Sequence, residues 1–372
     1  MRVGIPRERA ANERRVAIVP ATAATLRDWG WDVDVERAAG VAAGFPNDAY
    51  EASGATIVDR VAGLDVLACV GPPATELLDA VSDGGIVVGF LEPYTNENLM
   101  RSMGERRLTA LAVEAMPRTT LAQSMDALSS QANLAGYAAV LAAAQASPKL
   151  LPMMVTAAGT IAPARVLILG VGVAGLQAIA TAKRLGAVVH AYDIRTDTKE
   201  QVESLGARFV EAPTAASDDA GYATEVTEDT QAAQHAALAP FVADADIVVT
   251  TALIPGRPAP LLVTDDMIES MHPGAVIFDM AAATGGNVSM TRPDEVVVHN
   301  GVAIHGPTSL VSLVAADASR MYSRNLQNLL ERMRATEDGR VDIEDEILGG
   351  CAVMHAGEAR NDRTKALLGA HP

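Results

Sequence analysis

The stretch that decides the fold is Arg165-Val-Leu-Ile-Leu-Gly-Val-Gly-Val-Ala-Gly175, an apolar run followed by closely spaced glycines. Its first five residues have the character of a buried strand, and the pattern over 174–185 predicts a helix. Gly170 permits the tight turn, Gly172 lets the backbone approach a pyrophosphate, and Gly175 lets the helix pack closely on the strand. The stretch therefore predicts a dinucleotide-binding loop, with these cofactor-binding residues: Gly170, Gly172, Val173, Ala174 and Gly175.

An acidic residue stands where a dinucleotide-binding fold needs one. Asp193 ends the next predicted strand, over 188–193, and lies 23 residues after Gly170. A carboxylate at this point accepts hydrogen bonds from the adenosine ribose and repels a 2′-phosphate, which favours NAD over NADP. Arg195 is a second candidate for the cofactor site, and its positive charge weakens the preference for NAD.

Strands and helices alternate along the rest of the chain, which is typical of parallel α/β sheets. Besides the two strands around the glycine loop, the second unit has four predicted strands, over 208–210, 247–250, 275–279 and 296–299. A predicted long helix over 310–333 can return the chain to the first unit. We therefore expect two Rossmann-like, doubly wound parallel-sheet domains with a cleft between them that holds NAD. The first would comprise residues 1–128 and about 310–372, and the second, the NAD(H)-binding domain, residues 129–309.

Composition narrows the class of protein. The 29 Lys and Arg residues stand against 46 Asp and Glu, and this net charge of −17 disfavours nucleic acid or anionic lipid as a partner. The 2 cysteines form no CxxC pair, which is typical of a reducing, cytosolic compartment. The sequence shows neither a signal peptide nor a run of about 20 apolar residues, so we expect a soluble protein. The 7 histidines lack the spacing of metal ligands, and no metal site is expected.

Several stretches resemble one known family. They are Arg118-Thr-Thr-Leu-Ala-Gln-Ser-Met-Asp126 with the residues up to 137, Thr156-Ala-Ala-Gly-Thr160, the glycine loop up to 177, Thr251-Ala-Leu-Ile-Pro-Gly-Arg-Pro-Ala-Pro260, and the helical segment 319–330. Together they are similar to the proton-translocating nicotinamide nucleotide transhydrogenases. The resemblance covers nearly the whole chain and is to the soluble NAD(H)-binding domain of that family, carried on its own polypeptide.

The resemblance implies a reaction and a set of site residues. Family members pass hydride, with Re/Si specificity, between NADH on this domain and NADP⁺ on a partner, so the protein positions cofactors rather than moving a proton. Arg118 would contact the carboxamide and pyrophosphate side of NAD, and Gln123 would reach towards the partner's nucleotide. Asp126 would fix the nicotinamide carboxamide with support from Ser129. Judged on residue types alone, Arg118 and Asp126 are more simply explained as a surface ion pair.

The resemblance also implies further contacts and partners. A mobile loop around Tyr222 would close over the nucleotide. Thr251, Ala252 and Leu253 would lie at the edge of the sheet where the nucleotide binds. The chain would form a homodimer and dock on an NADP(H)-binding beta subunit. A separate membrane subunit would carry the protons. The chain would therefore be cytoplasmic and peripheral to the inner face of the cell membrane.

Alanine dehydrogenases share the architecture and provide the alternative function. Arg15 is similar to their substrate-binding arginine. Their lysine, histidine and aspartate are missing, however, and Ala283 stands where they place the aspartate. Ala283 also departs from the transhydrogenase pattern, which has Glu there. A self-sufficient amino-acid or hydroxy-acid dehydrogenase therefore remains the second hypothesis, and a purely regulatory nucleotide-binding module is a third.

Overall fold

A computed structural model describes residues 1–212, 228–254, 257–335 and 341–369. The chain divides into two compact units, one of residues Met1–Gln131 and Val311–Pro372 and the other of Ala132–Leu310. The boundaries predicted from the sequence lie after residues 128 and 309. Within the described ranges, no helix is long and apolar enough to cross a membrane.

The described residues contain seventeen strands. In chain order they are β1 (Arg2–Ile5), β2 (Asp32–Glu36), β3 (Thr56–Val58), β4 (Leu64–Ala68), β5 (Val81–Gly89), β6 (Thr109–Ala112), β7 (Met154–Thr156), β8 (Gly159–Ile161), β9 (Arg165–Leu169), β10 (Val188–Tyr192), β11 (Arg208–Phe209), β12 (Ile247–Thr250), β13 (Val276–Asp279), β14 (Val296–His299), β15 (Val302–His305), β16 (Ala352–His355) and β17 (Glu358–Ala359).

The same residues contain eleven α-helices, with short 3₁₀ turns between some of the elements. In chain order they are α1 (Pro20–Asp28), α2 (Asn47–Ala52), α3 (Glu97–Glu105), α4 (Ala127–Ala146), α5 (Val173–Arg184), α6 (Lys199–Ser204), α7 (Glu228–Ala243), α8 (Asp265–Ser270), α9 (Ala315–Arg334), α10 (Glu346–Cys351) and α11 (Asp362–Leu367).

The first unit is built on an eight-stranded sheet in the order β17-β16-β6-β5-β4-β1-β2-β3. Strands β6 to β3 in this order are parallel, and β16 and β17 extend the β6 edge in antiparallel fashion. All four residues of β6 and four of the five in β4 are buried, as expected for a parallel sheet covered on both faces. The sequence analysis did not predict β16 and β17.

The second unit has a seven-stranded sheet in the order β11-β10-β9-β12-β13-β15-β14. Its first six strands are parallel and follow the 3-2-1-4-5-6 order of a doubly wound dinucleotide-binding fold. The direction of winding reverses between β9 and β12, so the loops after these two strands meet at the carboxyl edge of the sheet. This switch point is where ligands bind in such folds. The α/β class with two Rossmann-like sheets is confirmed.

The sixth parallel strand of the second unit is not the predicted one. Strand β14, over the predicted 296–299, pairs antiparallel with β15 at the sheet edge, and β15 takes the sixth parallel position. Asn300 and Gly301, which connect them, both have positive φ, at 48° and 80°. A two-residue Asn-Gly loop between apolar runs is a strong hairpin signal, so this hairpin could have been predicted.

Two other segments differ from expectation. A small antiparallel hairpin, β7 with β8, precedes the glycine loop and was not predicted. The segment after Arg360 was likewise not predicted to form an element. It forms α11, the side chain of Asn361 caps its first turn, and Thr364 is fully buried.

Candidate nucleotide-binding site

The glycine loop after β9 is shaped by close backbone contacts. Gly170 has φ of +97°, and a Cβ there would lie 2.7 Å from Thr251 Oγ1. A Cβ on Gly175 would lie 1.9 Å from the carbonyl oxygen of Gly170, because α5 packs directly against the end of β9. Both positions therefore require glycine for steric reasons inside the protein.

Gly172 is different, because a Cβ there would meet no atom within 4 Å. It is the N-cap residue of α5, and its carbonyl accepts the amide of Leu176. The amides of Val173, Ala174 and Gly175 occupy the first turn, where a helix has no internal partners for its N–H groups and carries partial positive charge. Open space beside these amides fits a pyrophosphate, so the loop fits the group that the sequence predicted.

Asp193 follows β10 and lies against the glycine loop. Its carboxylate is buried and accepts the amide of Val171 at 2.7 Å and the amide of Arg195 at 2.9 Å. The Arg195 guanidinium also donates to both carboxylate oxygens, at 3.0 and 3.1 Å. The structure thus brings both predicted residues to one point beside the loop, and Arg195 offsets part of the negative charge of Asp193.

The loop after β12 lies beside the glycine loop at the carboxyl edge of the second sheet. Thr251 donates its hydroxyl to the Gly170 carbonyl at 3.0 Å, which ties the two loops of the switch point together. Both backbone groups of Ala252 are held by the Asn287 side chain, at 3.1 Å for its amide and 2.9 Å for its carbonyl. Leu253 is half exposed at 49%. Pro255 and Gly256, which follow, lie outside the described residues.

Asp279, at the end of β13, is a fully buried carboxylate that the sequence analysis did not consider as part of a site. It accepts the hydroxyls of Thr250 and Thr291, at 2.8 and 2.6 Å, and the amides of Ala281 and Asn287, at 2.9 and 2.8 Å. Because Asn287 in turn holds Ala252, this acid supports the loop after β12. The sequence signal for this residue was an Asp at the end of a buried strand, followed by a Gly-Gly-Asn turn.

The predicted loop at 118–129 belongs to the first unit. A 3₁₀ turn spans Thr120–Met125 and is anchored by the buried side chains of Ala122 and Met125. Gln123, within this turn, is exposed, and so is Arg118 before it.

Asp126 and Ser129 are brought together at the start of α4. The Asp126 carboxylate accepts the amide of Ser129 at 2.9 Å and its hydroxyl at 2.5 Å. Asp126 therefore caps the first turn of α4, and its position is fixed within the described structure. Tyr222 and the loop around it lie outside the described residues, so this predicted contact stays a prediction.

Arg15 lies in a partly buried ionic cluster of the first unit. Its guanidinium donates to both carboxylate oxygens of Glu13, at 2.9 and 2.6 Å, and to Gln131 at 2.9 Å. Hydrogen bonds and the charge of Arg15 hold the pKa of Glu13 below its usual value, although burial opposes this. Ser312 donates a further hydrogen bond to Glu13. Arg15 and Glu13 therefore neutralise each other.

Two other glutamates lie at the carboxyl edge of the first sheet. Glu8 accepts the amide of Val70 at 2.6 Å, and Glu114 accepts the amides of Leu91 and Glu92 at 2.8 and 2.7 Å. Burial raises the pKa of each carboxyl to about 7, although the backbone amides oppose the rise. In the part of the chain described, no cluster of His, Cys, Asp or Glu side chains is arranged to hold a metal ion.

Comparison with known proteins matches both units to one family. The model of the alanine dehydrogenase/PNT N-terminal domain matches residues 4–135, and that of the C-terminal domain matches residues 139–362. The fold and the dinucleotide loop thus define an NAD-binding oxidoreductase class, and the chain belongs to the alanine dehydrogenase/PNT family.

Within this family the chain is more similar to two transhydrogenases than to an alanine dehydrogenase. The chain is 45% identical over 371 residues to an NAD(P) transhydrogenase alpha-subunit polypeptide of Rickettsia prowazekii, covering 97% of this chain and 96% of that protein. A crystal structure of transhydrogenase from Sinorhizobium meliloti superimposes with a TM-score of 0.88 at 43% identity, covering 96% of this chain and 100% of that one. Alanine dehydrogenase of Bacillus subtilis is 28% identical over 306 residues, with 81% and 75% covered. The family resemblance seen in the sequence is confirmed, and the similarity supports a transhydrogenase role.

Proposed function

We propose that this chain is the NAD(H)-binding subunit of a proton-translocating transhydrogenase with Re/Si specificity, which exchanges hydride between NADH and NADP⁺ held on a partner subunit. One observation carries the proposal, a loop that presents exposed Gln123 beside the fixed Asp126–Ser129 pair, in a chain 45% identical to transhydrogenase subunits. The loop offers amide, carboxylate and hydroxyl groups, which orient ligands and do not themselves react.

The residues of the second unit would bind the dinucleotide. The first-turn amides of α5 would hold the pyrophosphate, and Asp193 would accept the ribose hydroxyls. Thr251, Ala252 and Leu253 would border the site, with Ala252 fixed by Asn287. NADH, when bound, supplies the hydride, and the protein contributes orientation and a fixed electrostatic environment.

The loop residues would orient the reacting ring. Asp126 would hold the carboxamide of the nicotinamide, and Ser129 would fix the carboxylate of Asp126. Arg118 would contact the same nucleotide. Gln123 would reach the nucleotide of the partner subunit. Since a direct transfer between two rings moves no substrate proton, none of these side chains needs to act as an acid or base.

The assembly that we propose has three parts. This chain would act as a homodimer, an NADP(H)-binding beta subunit would dock on it, and a membrane subunit would carry protons. The chain would then be peripheral to the inner face of the cell membrane. The names of its relatives support this arrangement, and the net charge of −17 favours attachment through partner subunits over direct contact with anionic lipid.

Alanine oxidation is the alternative function, and the state of Arg15 disfavours it. A substrate carboxylate needs an available cation, but both edges of this guanidinium are bound by Glu13 and Gln131. Ala283, within the 3₁₀ turn Ala282–Thr284, stands where alanine dehydrogenases have their aspartate. Its methyl group cannot take up or release a proton.

Reconstitution would test the proposal. The purified chain is added to membranes that hold the cognate partner subunits but lack this one, and reduction of an NADP⁺ analogue by NADH is followed. Activity that depends on the chain, and falls at least tenfold in Gln123→Ala and Asp126→Ala, is expected. Gln145→Ala, an exposed position on α4, is the matched control and should leave the rate unchanged. If the membrane activity does not depend on the added chain, and the chain alone reduces NAD⁺ in the presence of alanine, the protein is instead an alanine dehydrogenase.

A further inference from the structure

Helix α9 carries the stretch 319–330, which resembles the family but has no role in the site described above. Several polar side chains on this helix are buried, among them Ser319, Ser323 and Asn325. The hydroxyls of Ser319 and Ser323 accept the amides of Val16 and Val19, each at 3.0 Å. These two serines therefore secure the segment before α1. Asn325 is directed to a different part of the unit.

One end of the Asn325 amide contacts the 118–129 loop, and the other contacts the residue that follows this loop. Its Nδ2 donates to the carbonyl oxygen of Ser124 at 2.9 Å, and its Oδ1 accepts the hydroxyl of Ser130 at 2.7 Å. Asn328, one turn further along the helix and half-buried, donates to the same Ser124 carbonyl at 2.9 Å. The loop is thus bound to α9 at two points.

Ser124 and Ser130 flank Asp126 and Ser129, and Gln123 directly precedes the first of them. Ser124 directly follows Gln123 and lies two residues before Asp126, and Ser130 directly follows Ser129. The peptide between Ser124 and Met125 is a rigid plane, so fixing its carbonyl restricts the backbone of the 3₁₀ turn on both sides. The side chains of Gln123 and Asp126 project from the segment so restricted.

We propose that Asn325 and Asn328 are positioning residues that hold Gln123 and Asp126 in place through the Ser124 carbonyl. This inference rests on the proposed function. Neither asparagine contacts a nucleotide in this role. The rate of a reaction between two bound molecules depends strongly on their relative position, and a displacement of about 1 Å can lower this rate by about a hundredfold. Loss of the Asn325 bonds should therefore lower hydride transfer more than it lowers nucleotide affinity.

The test uses the reconstituted membrane complex with Asn325→Ala, Asn328→Ala and Ser323→Ala. We expect kcat at saturating nucleotides to fall about tenfold or more in Asn325→Ala and about threefold in Asn328→Ala. The Kd of NADH for the chain alone should change by less than about threefold. Ser323→Ala is the matched control, since it removes one buried hydrogen bond from the same helix that does not reach the loop, and its kcat should match that of the wild type.

A double variant separates positioning from general damage. If Asn325 acts through the loop, adding Asn325→Ala to Gln123→Ala should lower kcat much less than it does in the wild-type background. Full additivity, or equal kcat values for Asn325→Ala and Ser323→Ala, would overturn the inference. If Asn325→Ala fails to fold, Asn328→Ala, at a less buried position, decides the question, and an unchanged kcat in that variant also overturns the inference. An inactive wild-type chain would instead defeat the proposed function, so the two failures are distinguishable.

Discussion

Asp193 accepts a 2.7 Å hydrogen bond from the amide of Val171, so the acid at the end of β10 fixes the glycine loop at the end of β9. The carboxylate thereby has a structural task before any ligand binds. It also remains at the edge where an adenosine ribose would lie in this fold. One residue thus shapes the loop and supplies the negative charge that would distinguish NAD from NADP.

Replacing Asp193 should weaken NADH binding. Asp193→Asn keeps an oxygen that accepts the Val171 amide but removes the charge, and charge-assisted hydrogen bonds are worth about 1.5–3 kcal/mol, so Kd should rise roughly tenfold or more. The preference for NADH over NADPH should narrow as well, because Arg195 loses its anionic partner. Calorimetric titration of the chain with each nucleotide measures both effects. Exposed Asp197→Asn serves as the control, and equal affinities in the two variants would contradict the assignment.

Two glycine variants should separate folding from binding. Gly175→Ala places a methyl group where the Gly170 carbonyl lies, and should destabilise the fold by about 1–3 kcal/mol or more. Gly172→Ala has open space and an ordinary φ of −79°, so stability should change little, whereas NADH affinity should fall because the methyl group occupies the phosphate approach. Thermal unfolding and NADH titration on both variants measure this. Unimpaired NADH binding by Gly172→Ala would show that the pyrophosphate lies elsewhere.

Asn287→Ala should loosen the loop after β12. The variant frees both backbone groups of Ala252 and removes a bond to the Pro260 carbonyl, and each unsatisfied buried group costs about 1–3 kcal/mol. We expect lower stability in urea and an NADH Kd raised severalfold. Ser289→Ala, which loses only an exposed bond to Asp265, is the control. NADH affinity equal to that of the control would mean that this loop does not border the nucleotide.

Glu8 should make the protein less stable as the pH rises through neutrality. Its pKa in the folded state, about 7, lies above its ordinary value of 4.5, because burial disfavours the charged form. The folded state therefore binds more protons than the unfolded state between these values. The stabilisation of the neutral form is fully present below about pH 4.5 and is lost as the pH rises through about 7.

Glu114, whose pKa is also about 7, contributes a similar pH dependence. The Glu8→Gln variant should lose only the part that is due to Glu8. Its free energy of unfolding should decline less than that of the wild type between pH 5 and pH 8, by up to about 3 kcal/mol. Urea denaturation at both pH values measures the difference, with exposed Glu97→Gln as the control. Parallel stability profiles for Glu8→Gln and the wild type would show that Glu8 stays ionised when folded.

Local patterns predicted the parts of the fold that depend on neighbours in sequence. The strand, glycine turn and helix around 165–185 could be predicted because the tight turn and close packing admit only glycine at two positions. Strand pairing was predicted less well. The segment 296–299 has the apolar character of a parallel strand, but the Asn300-Gly301 turn makes it the antiparallel partner of β15, and apolar character alone does not distinguish these arrangements.

The sequence by itself therefore determined the two-domain α/β class, the glycine turn between strand and helix, and membership of the family. Only the tertiary structure decided which distant residues meet. Asn325 reaches Ser124 across 201 positions and Glu8 reaches Val70 across 62. Asp279 gathers donors from three separate segments. Such contacts depend on how buried polar groups find partners once the sheets and helices pack, because each group left without a partner costs free energy. No local pattern encodes that choice.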